Sequence, residues 1–215
     1  MKKILFNDKF GLTKAVLYGR KTQTRRIIHV QPPYKNYDIA FPVFEKEDWR
    51  TNPLYGALCW VNKNNPDECT EWIRPQFKEG DVVAVAQSYK EIGFSETEIF
   101  IHKELNAGWN NKMFVRAEAC KHQIRITNVR IQRLQDISDE DCLKEGVVVN
   151  EPKIKGGINM YYPCEYLRSC AKEVGWGRVF HTPREAFAHL INQVSGKDVW
   201  AENPYVFVYD FELIK

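Results

Sequence analysis

Gln123-Ile124-Arg125-Ile126-Thr127-Asn128-Val129-Arg130-Ile131-Gln132-Arg133-Leu134 is the longest strand signal in the chain. Apolar β-branched residues alternate with polar ones, the period of a pleated strand with one buried face. The alternation slips once: Ile124 and Ile126 share one parity, Val129 and Ile131 the other. A bulge near Thr127-Asn128 reconciles them, because one extra residue shifts the facing of all that follow. Bent, bulged strands are what closing a small sheet into a barrel requires.

The neighbouring segments extend this reading. Val82 to Ala86, after the turn Glu79-Gly80-Asp81, is continuously apolar, as in a strand covered on both faces. Tyr205 to Leu213 alternates: Tyr205, Phe207, Tyr209, Phe211 and Leu213 are expected in the core, Asp210 and Glu212 in water. Lys3 to Phe6 and Arg25 to Val30 read as further strands. Thr97 to His102 and Met113 to Ala119 read as a hairpin across the polar loop 106–111. Asn7 or Asp8 can cap a helix reaching Tyr18, with Phe10, Lys14 and Leu17 on one face and Gly19 ending it in a left-handed conformation. Ser138 opens a short helix that runs to about Glu145 and stops at Gly146. Thr182-Pro183-Arg184-Glu185 opens the clearest helix, a cap followed by proline at the first helical position. Its apolar stripe is Phe187, Leu190, Ile191 and Val194. The expected architecture is α+β, one domain over residues 1–215: a small, partly closed β-barrel with flanking helices and two insertions, at about 31–78 and 147–181. The second insertion carries a possible helix around 165–173. In the first, prolines interrupt regular structure. Yet Tyr34, Tyr37, Phe41, Phe44, Trp49, Tyr55, Trp60 and Trp72 are too many aromatics for a linker. It is read as ordered, serving either function or an enlarged core.

Composition narrows the function. The chain has 215 residues, 27% charged and 13% aromatic, a globular composition. A net charge of +3 is too small to make the whole surface a polyanion trap, so any nucleic-acid role needs a local patch. There is no apolar run of membrane-spanning length. Met1-Lys2-Lys3 is followed by only three apolar residues before Asn7, so no leader is expected. Six cysteines form no CxxC pair, and a cytoplasmic setting with free thiols is expected. Cys164, Cys170 and His181 match no common zinc spacing, so neither metal nor cofactor is expected.

The segment Gly19-Arg20-Lys21-Thr22-Gln23-Thr24-Arg25-Arg26 places four cations and two hydroxyls in eight residues, with no acid. Such a cluster is commonly a solvated turn. Here it follows a glycine stop directly. Thr22 and Thr24, two apart, share one face of an extended chain, with Lys21, Gln23 and Arg25 on the other. A rigid turn of this kind suits an anionic or carbonyl-bearing ligand.

This segment resembles the GxKTxTxR signature of the ASCH domains, most closely the phage-type members. The Gly80-Asp81 turn, the run 130–138 with Glu145-Gly146 after it, and the ending Asn203-Pro204-Tyr205-Val206-Phe207 match in the same order, in blocks over about half the chain. The resemblance implies a PUA-like barrel. The strand after Gly80 departs from those relatives: Ala84-Val85-Ala86-Gln87-Ser88 stands where they usually carry a Trp and an Arg-Glu pair.

Two functions are implied. As an RNA- or nucleotide-binding module, Arg20, Thr22, Arg25 and Arg26 would hold the ligand, with Arg130 and Arg133 as possible extensions, cations on phosphates and rings on bases. One bacterial branch of the family comprises amidohydrolases acting on N(4)-acetylcytidine. The positions matching its catalytic set are Lys21, Thr24 and Glu145. A threonine hydroxyl needs a base. Lysine can serve if burial or neighbouring cations lower its pKa, and a carboxylic acid can protonate the leaving amine. A third reading is a phage or mobile-element accessory protein that binds a host protein through the aromatic insertion.

Overall fold

The structure, a computed structural model, describes residues 1–42, 52–101, 103–150, 158–174, 179–196 and 198–214, without the side chains of 99, 103, 104 and 170–174. The fold is α+β. A five-stranded sheet has the order β1 (Lys2–Ile4), β6 (Val82–Val85), β7 (Gln123–Arg133), β10 (Tyr205–Leu213), β2 (Gln23–Ile27). Three strands of the first insertion, β3 (Tyr37–Ala40), β4 (Cys59–Asn62) and β5 (Asn65–Cys69), form a second sheet. In the second insertion β8 (Val148–Asn150) and β9 (Met160–Tyr162) pair as a hairpin. The helices are α1 (Leu12–Leu17), α2 (Glu96–Ile101), α3 (Asp139–Lys144), α4 (Glu165–Val174), α5 (Pro183–Ser195) and α6 (Val199–Glu202). None is long and apolar enough to cross a membrane.

The bulge falls where the alternation slips. Asp210 pairs with Asn128 and Phe211 with Ile126, so Thr127 is the extra residue on β7. Ile124, Ile126, Val129 and Ile131 then all pack on one core cluster. Among the described residues no ladder joins β1 to β2, so the sheet remains open at that seam. β2 begins two residues earlier than expected, because its register with β10 starts at Gln23↔Asp210. β10 is covered on both faces: Val206 and Val208 are as buried as Phe207 and Tyr209, because α5 lays Phe187 and Ile191 on the second face. Leu213, at the end of β10, is exposed where the core was expected.

Two local expectations fail for identifiable reasons. Ser95 and Glu98 cap each other reciprocally and start α2 where a strand was expected, and residue 102 lies outside the described ones. Asn111 likewise caps a 3-10 turn at 112–114, and a second turn covers 117–119. At the N-terminus Asn7 caps only a short turn. Gly11, at φ +66°, resets the helical phase, so α1 buries Leu12, Ala15 and Val16 and exposes Lys14.

The described part of the first insertion enlarges the core. Trp60 and Phe77 are fully buried in the same cluster as β7 and β10, their rings 4.8 Å from Tyr205 and 5.4 Å from Tyr209. Tyr34 and Phe41 stay exposed, and Phe44 and Trp49 lie outside the described residues. Trp60 Nε1 donates to the Val30 carbonyl at 2.9 Å. Trp60→Phe keeps an aromatic ring but orphans that carbonyl and leaves space, so a loss of about 1–3 kcal/mol is expected in urea unfolding. No measurable loss would show that the insertion does not support the core.

Candidate active site

Three local features bring β2 against the end of α3. Gly19 turns the chain at φ +68°, the left-handed region that favours glycine. The Thr22 amide then donates to the Lys144 carbonyl at 3.0 Å. On α3, Ser138 accepts from the Asp141 amide as cap, and Gly146 leaves the helix at φ +107°. A Cβ at Gly146 would meet Leu12 and Lys21 only at ordinary contact distances, 3.5 and 3.9 Å, so it is the positive φ that favours glycine there.

The basic run therefore does not meet solvent as a unit; its acids come from elsewhere in the chain. Lys21 Nζ donates to Glu145 Oε2 at 2.5 Å and to the Glu145 carbonyl at 2.8 Å, with side chains 2% and 6% exposed. Arg25 donates to Glu145 Oε1 at 3.0 Å and to Asp141 Oδ2 at 3.1 Å, its own side chain 1% exposed. Arg20 turns outward to Glu165 and lies over Tyr18. Arg26 has no acid partner among the described residues. Its Nη2 donates to the Leu5 carbonyl, and its guanidinium lies 5.9 Å from the Phe6 ring centre. The cluster read as free of counter-acid is thus largely neutralised. Arg25 in particular is an internal ion-pair partner, where a ligand-facing cation was expected.

Lys21, Thr24, Arg25, Arg26 and Glu145 line one cleft of about 190 Å³. Leu5, Phe6 and Asn7, just past β1, form one wall, and Phe187, Leu190, Ile191 and Val194 of α5 another. The cleft thus lies where β1 and β2 fail to join. Among the described residues the Thr24 hydroxyl has no hydrogen-bond partner. Arg20 and Thr22 are not part of the lining. Arg130 is engaged with Asp141 and Asp210, and Arg133 stacks on Tyr205 at 3.8 Å. Ala84 to Ser88, where the sequence departs from the phage-type pattern, does not touch the cleft. No family model, curated protein or solved structure matches this chain. The site's chemistry therefore rests on its own geometry.

Burial lowers the Lys21 pKa from its ordinary value; Glu145 opposes the shift, while Arg26 and Arg25 add to it. Burial likewise lowers Arg26. Of the two causes expected, burial and neighbouring cations, burial is the larger; Arg25 and Arg26 contribute, and Arg20, also expected to, does not. Cys142, on α3, is pushed up to about 12 by burial, so it stays a thiol and is no rival nucleophile. Among the described residues no group of His, Cys, Asp or Glu is arranged for a metal ion.

The lowered Lys21 pKa has a signed consequence. Below its folded value, lysine is protonated in both states, and the fold bears the full cost of burying that charge. As pH rises from there toward the unfolded value of 10.5, the unfolded chain binds more protons and the fold gains stability. The stability of wild type minus that of Lys21→Met should therefore rise with pH in that window. A flat or falling difference in urea unfolding would remove the lowered pKa.

What sequence reasoning missed is the second carboxylate. Asp141 and Glu145 are four apart on one helical face, a spacing that presents both acids to β2.

Proposed function

We propose that the protein is an ASCH-type, PUA-like amidohydrolase that cleaves an acyl group from the exocyclic nitrogen of a modified nucleoside, with N(4)-acetylcytidine as the representative substrate. The observation that carries this reading is the buried Lys21–Glu145 pair at 2.5 Å in a cleft that also holds the Thr24 hydroxyl. A proton passing from Lys21 to Glu145 discharges both groups and yields a free amine base and a carboxylic acid side by side. Lys21 then accepts the Thr24 proton as Oγ attacks the acyl carbonyl carbon. Glu145 protonates the departing exocyclic nitrogen. Water hydrolyses the threonyl ester and releases the carboxylic acid, so amide and water become amine and acid. Arg26, the cation without an acid partner, can stabilise developing negative charge on the acyl oxygen. A volume of about 190 Å³ is below the roughly 300–1,000 Å³ usual for whole drug-sized ligands, so it suits the acylated ring edge, with the ribose outside.

The RNA-binding reading loses most of its cations to ion pairs. What favours a residual form of it is the exposed Tyr18 ring with Arg20 over it at 5.6 Å, outside the cleft. Purified protein incubated with N(4)-acetylcytidine should release cytidine and acetate one to one by chromatography, and should retain short RNAs only weakly. Absence of turnover with salt-dependent RNA retention would replace the hydrolase by the binding module. Absence of both would return attention to the exposed aromatics of the first insertion.

A further inference from the structure

Arg25 belongs to a closed ring of hydrogen bonds that ties four elements together. Its Nη1 donates to Gln23 Oε1, and Gln23 Nε2 donates to Asp210 Oδ1 at 2.5 Å. Arg130 Nη1 donates to Asp210 Oδ2, and Arg130 Nη2 to Asp141 Oδ2 at 2.6 Å. Arg25 Nη2 reaches the same Asp141 oxygen at 3.1 Å and closes the ring. Gln23 and Arg25 stand on β2, Asp210 on β10, Arg130 on β7 and Asp141 on α3. Both arms of the Arg25 fork thus belong to the ring, Nη2 on Asp141 and Nη1 on Gln23, and Nη1 is shared with Glu145 Oε1 at 3.0 Å, while Lys21 holds Oε2. A planar, rigid guanidinium can hold such a split position where a lysine cannot.

We infer that Arg25 is a positioning residue, anchored by the ring, which shares the Glu145 carboxylate with Lys21 and so governs how tightly that carboxylate holds the Lys21 proton. The charged groups that face Lys21 are few. Glu145 comes from the end of α3, Arg25 and Arg26 from β2. The walls from α5 and from residues 5–7 contribute no charge. Within this set the ring sets the balance: a stronger pull by Asp141 draws Arg25 away from Glu145 and leaves Glu145 to Lys21, and a weaker pull does the reverse. The chemical consequence rests on the hydrolase reading, in which Lys21 must give up that proton before Thr24 can react.

The test is a carbon-13 NMR titration of Lys21 in the full chain, which needs no turnover. Arg25→Gln gives Glu145 wholly to Lys21, so Lys21 should titrate at higher pH than in wild type. Arg130→Gln leaves Asp141 to Arg25 and the more exposed Lys144, strengthens its pull on Arg25 and should move Lys21 upward by less; it covers the case in which Arg25→Gln fails to fold. Asp141→Asn releases Arg25 toward Glu145 and should move Lys21 to lower pH. A merely structural ring predicts something else: each variant loosens the pocket and shifts Lys21 upward toward an ordinary lysine. An upward or null shift in Asp141→Asn therefore overturns the proposal. If wild type turns over N(4)-acetylcytidine, Asp141→Asn should also bring the alkaline fall of the kcat–pH profile to lower pH with KM little changed, because the pair then loses more readily the proton that Glu145 must deliver. If wild type shows no turnover, the hydrolase reading fails while the titration still decides the role of Arg25.

Discussion

Arg25→Ala is expected to cost about 3–5 kcal/mol of folding stability, the range for removing one partner of a buried ion pair. The cost arises less from lost attraction than from what remains. Glu145 loses one of its two cations, and Asp141 keeps Arg130 and the more exposed Lys144. For a chain of this length each kcal/mol moves the thermal midpoint by about 2–4 °C, so a fall of roughly 6–20 °C should appear in a melt. Arg20→Ala is the internal control. Its pair with Glu165 is 40% and 31% exposed, and such pairs contribute about 0–1 kcal/mol. Equal, small losses in the two variants would mean that Arg25 is solvated, and the described ring would be wrong.

Thr24→Ala is expected to lower turnover of N(4)-acetylcytidine by about 10³-fold or more, since the group that attacks the carbonyl is removed and only binding and electrostatics remain. The same variant should leave the thermal midpoint near wild type, because the hydroxyl bonds to nothing among the described residues. That combination separates a reacting residue from a supporting one. A drop of tenfold or less would assign the attack to water, with Lys21 as its base. Thr24→Ser should retain much of the activity under the proposed chemistry, as it keeps the hydroxyl.

The sequence carried the elements whose signals are local. The parity slip on β7 located the bulge at Thr127, and Thr182-Pro183 located the start of α5. It also brought Lys21, Thr24 and Glu145 together, through the resemblance of two distant blocks. What it did not carry were partnerships across the fold. Asp210 alternates like a solvated residue, yet it pairs with Arg130. Arg25 looks like an exposed cation until Asp141 and Glu145 are placed beside it. Strand signals failed at 97–101 and 113–119, where Ser95 and Asn111 offer the backbone competing side-chain bonds that a count of apolar residues does not register. Of the expected partly closed barrel, the described residues show an open five-stranded sheet, since a bulge bends a strand without supplying a ladder between the outermost ones.

Lys21 and Glu145 stand 124 residues apart, and Arg25 and Asp141 stand 116 apart. Contacts of that span are bought late in folding, after long loops have closed. As the chain is synthesised, the basic run emerges long before α3, and its cations have no acids to meet until residue 139 and beyond exist. A chain cut short of α3 would hold Lys21 and Arg25, two cations that the complete fold buries against Glu145 and Asp141, without those partners. The site is therefore a late-assembling structure: no N-terminal fragment ending before α3 can carry its acids, and the contacts that complete the cleft are also those that lock the sheet to its helix.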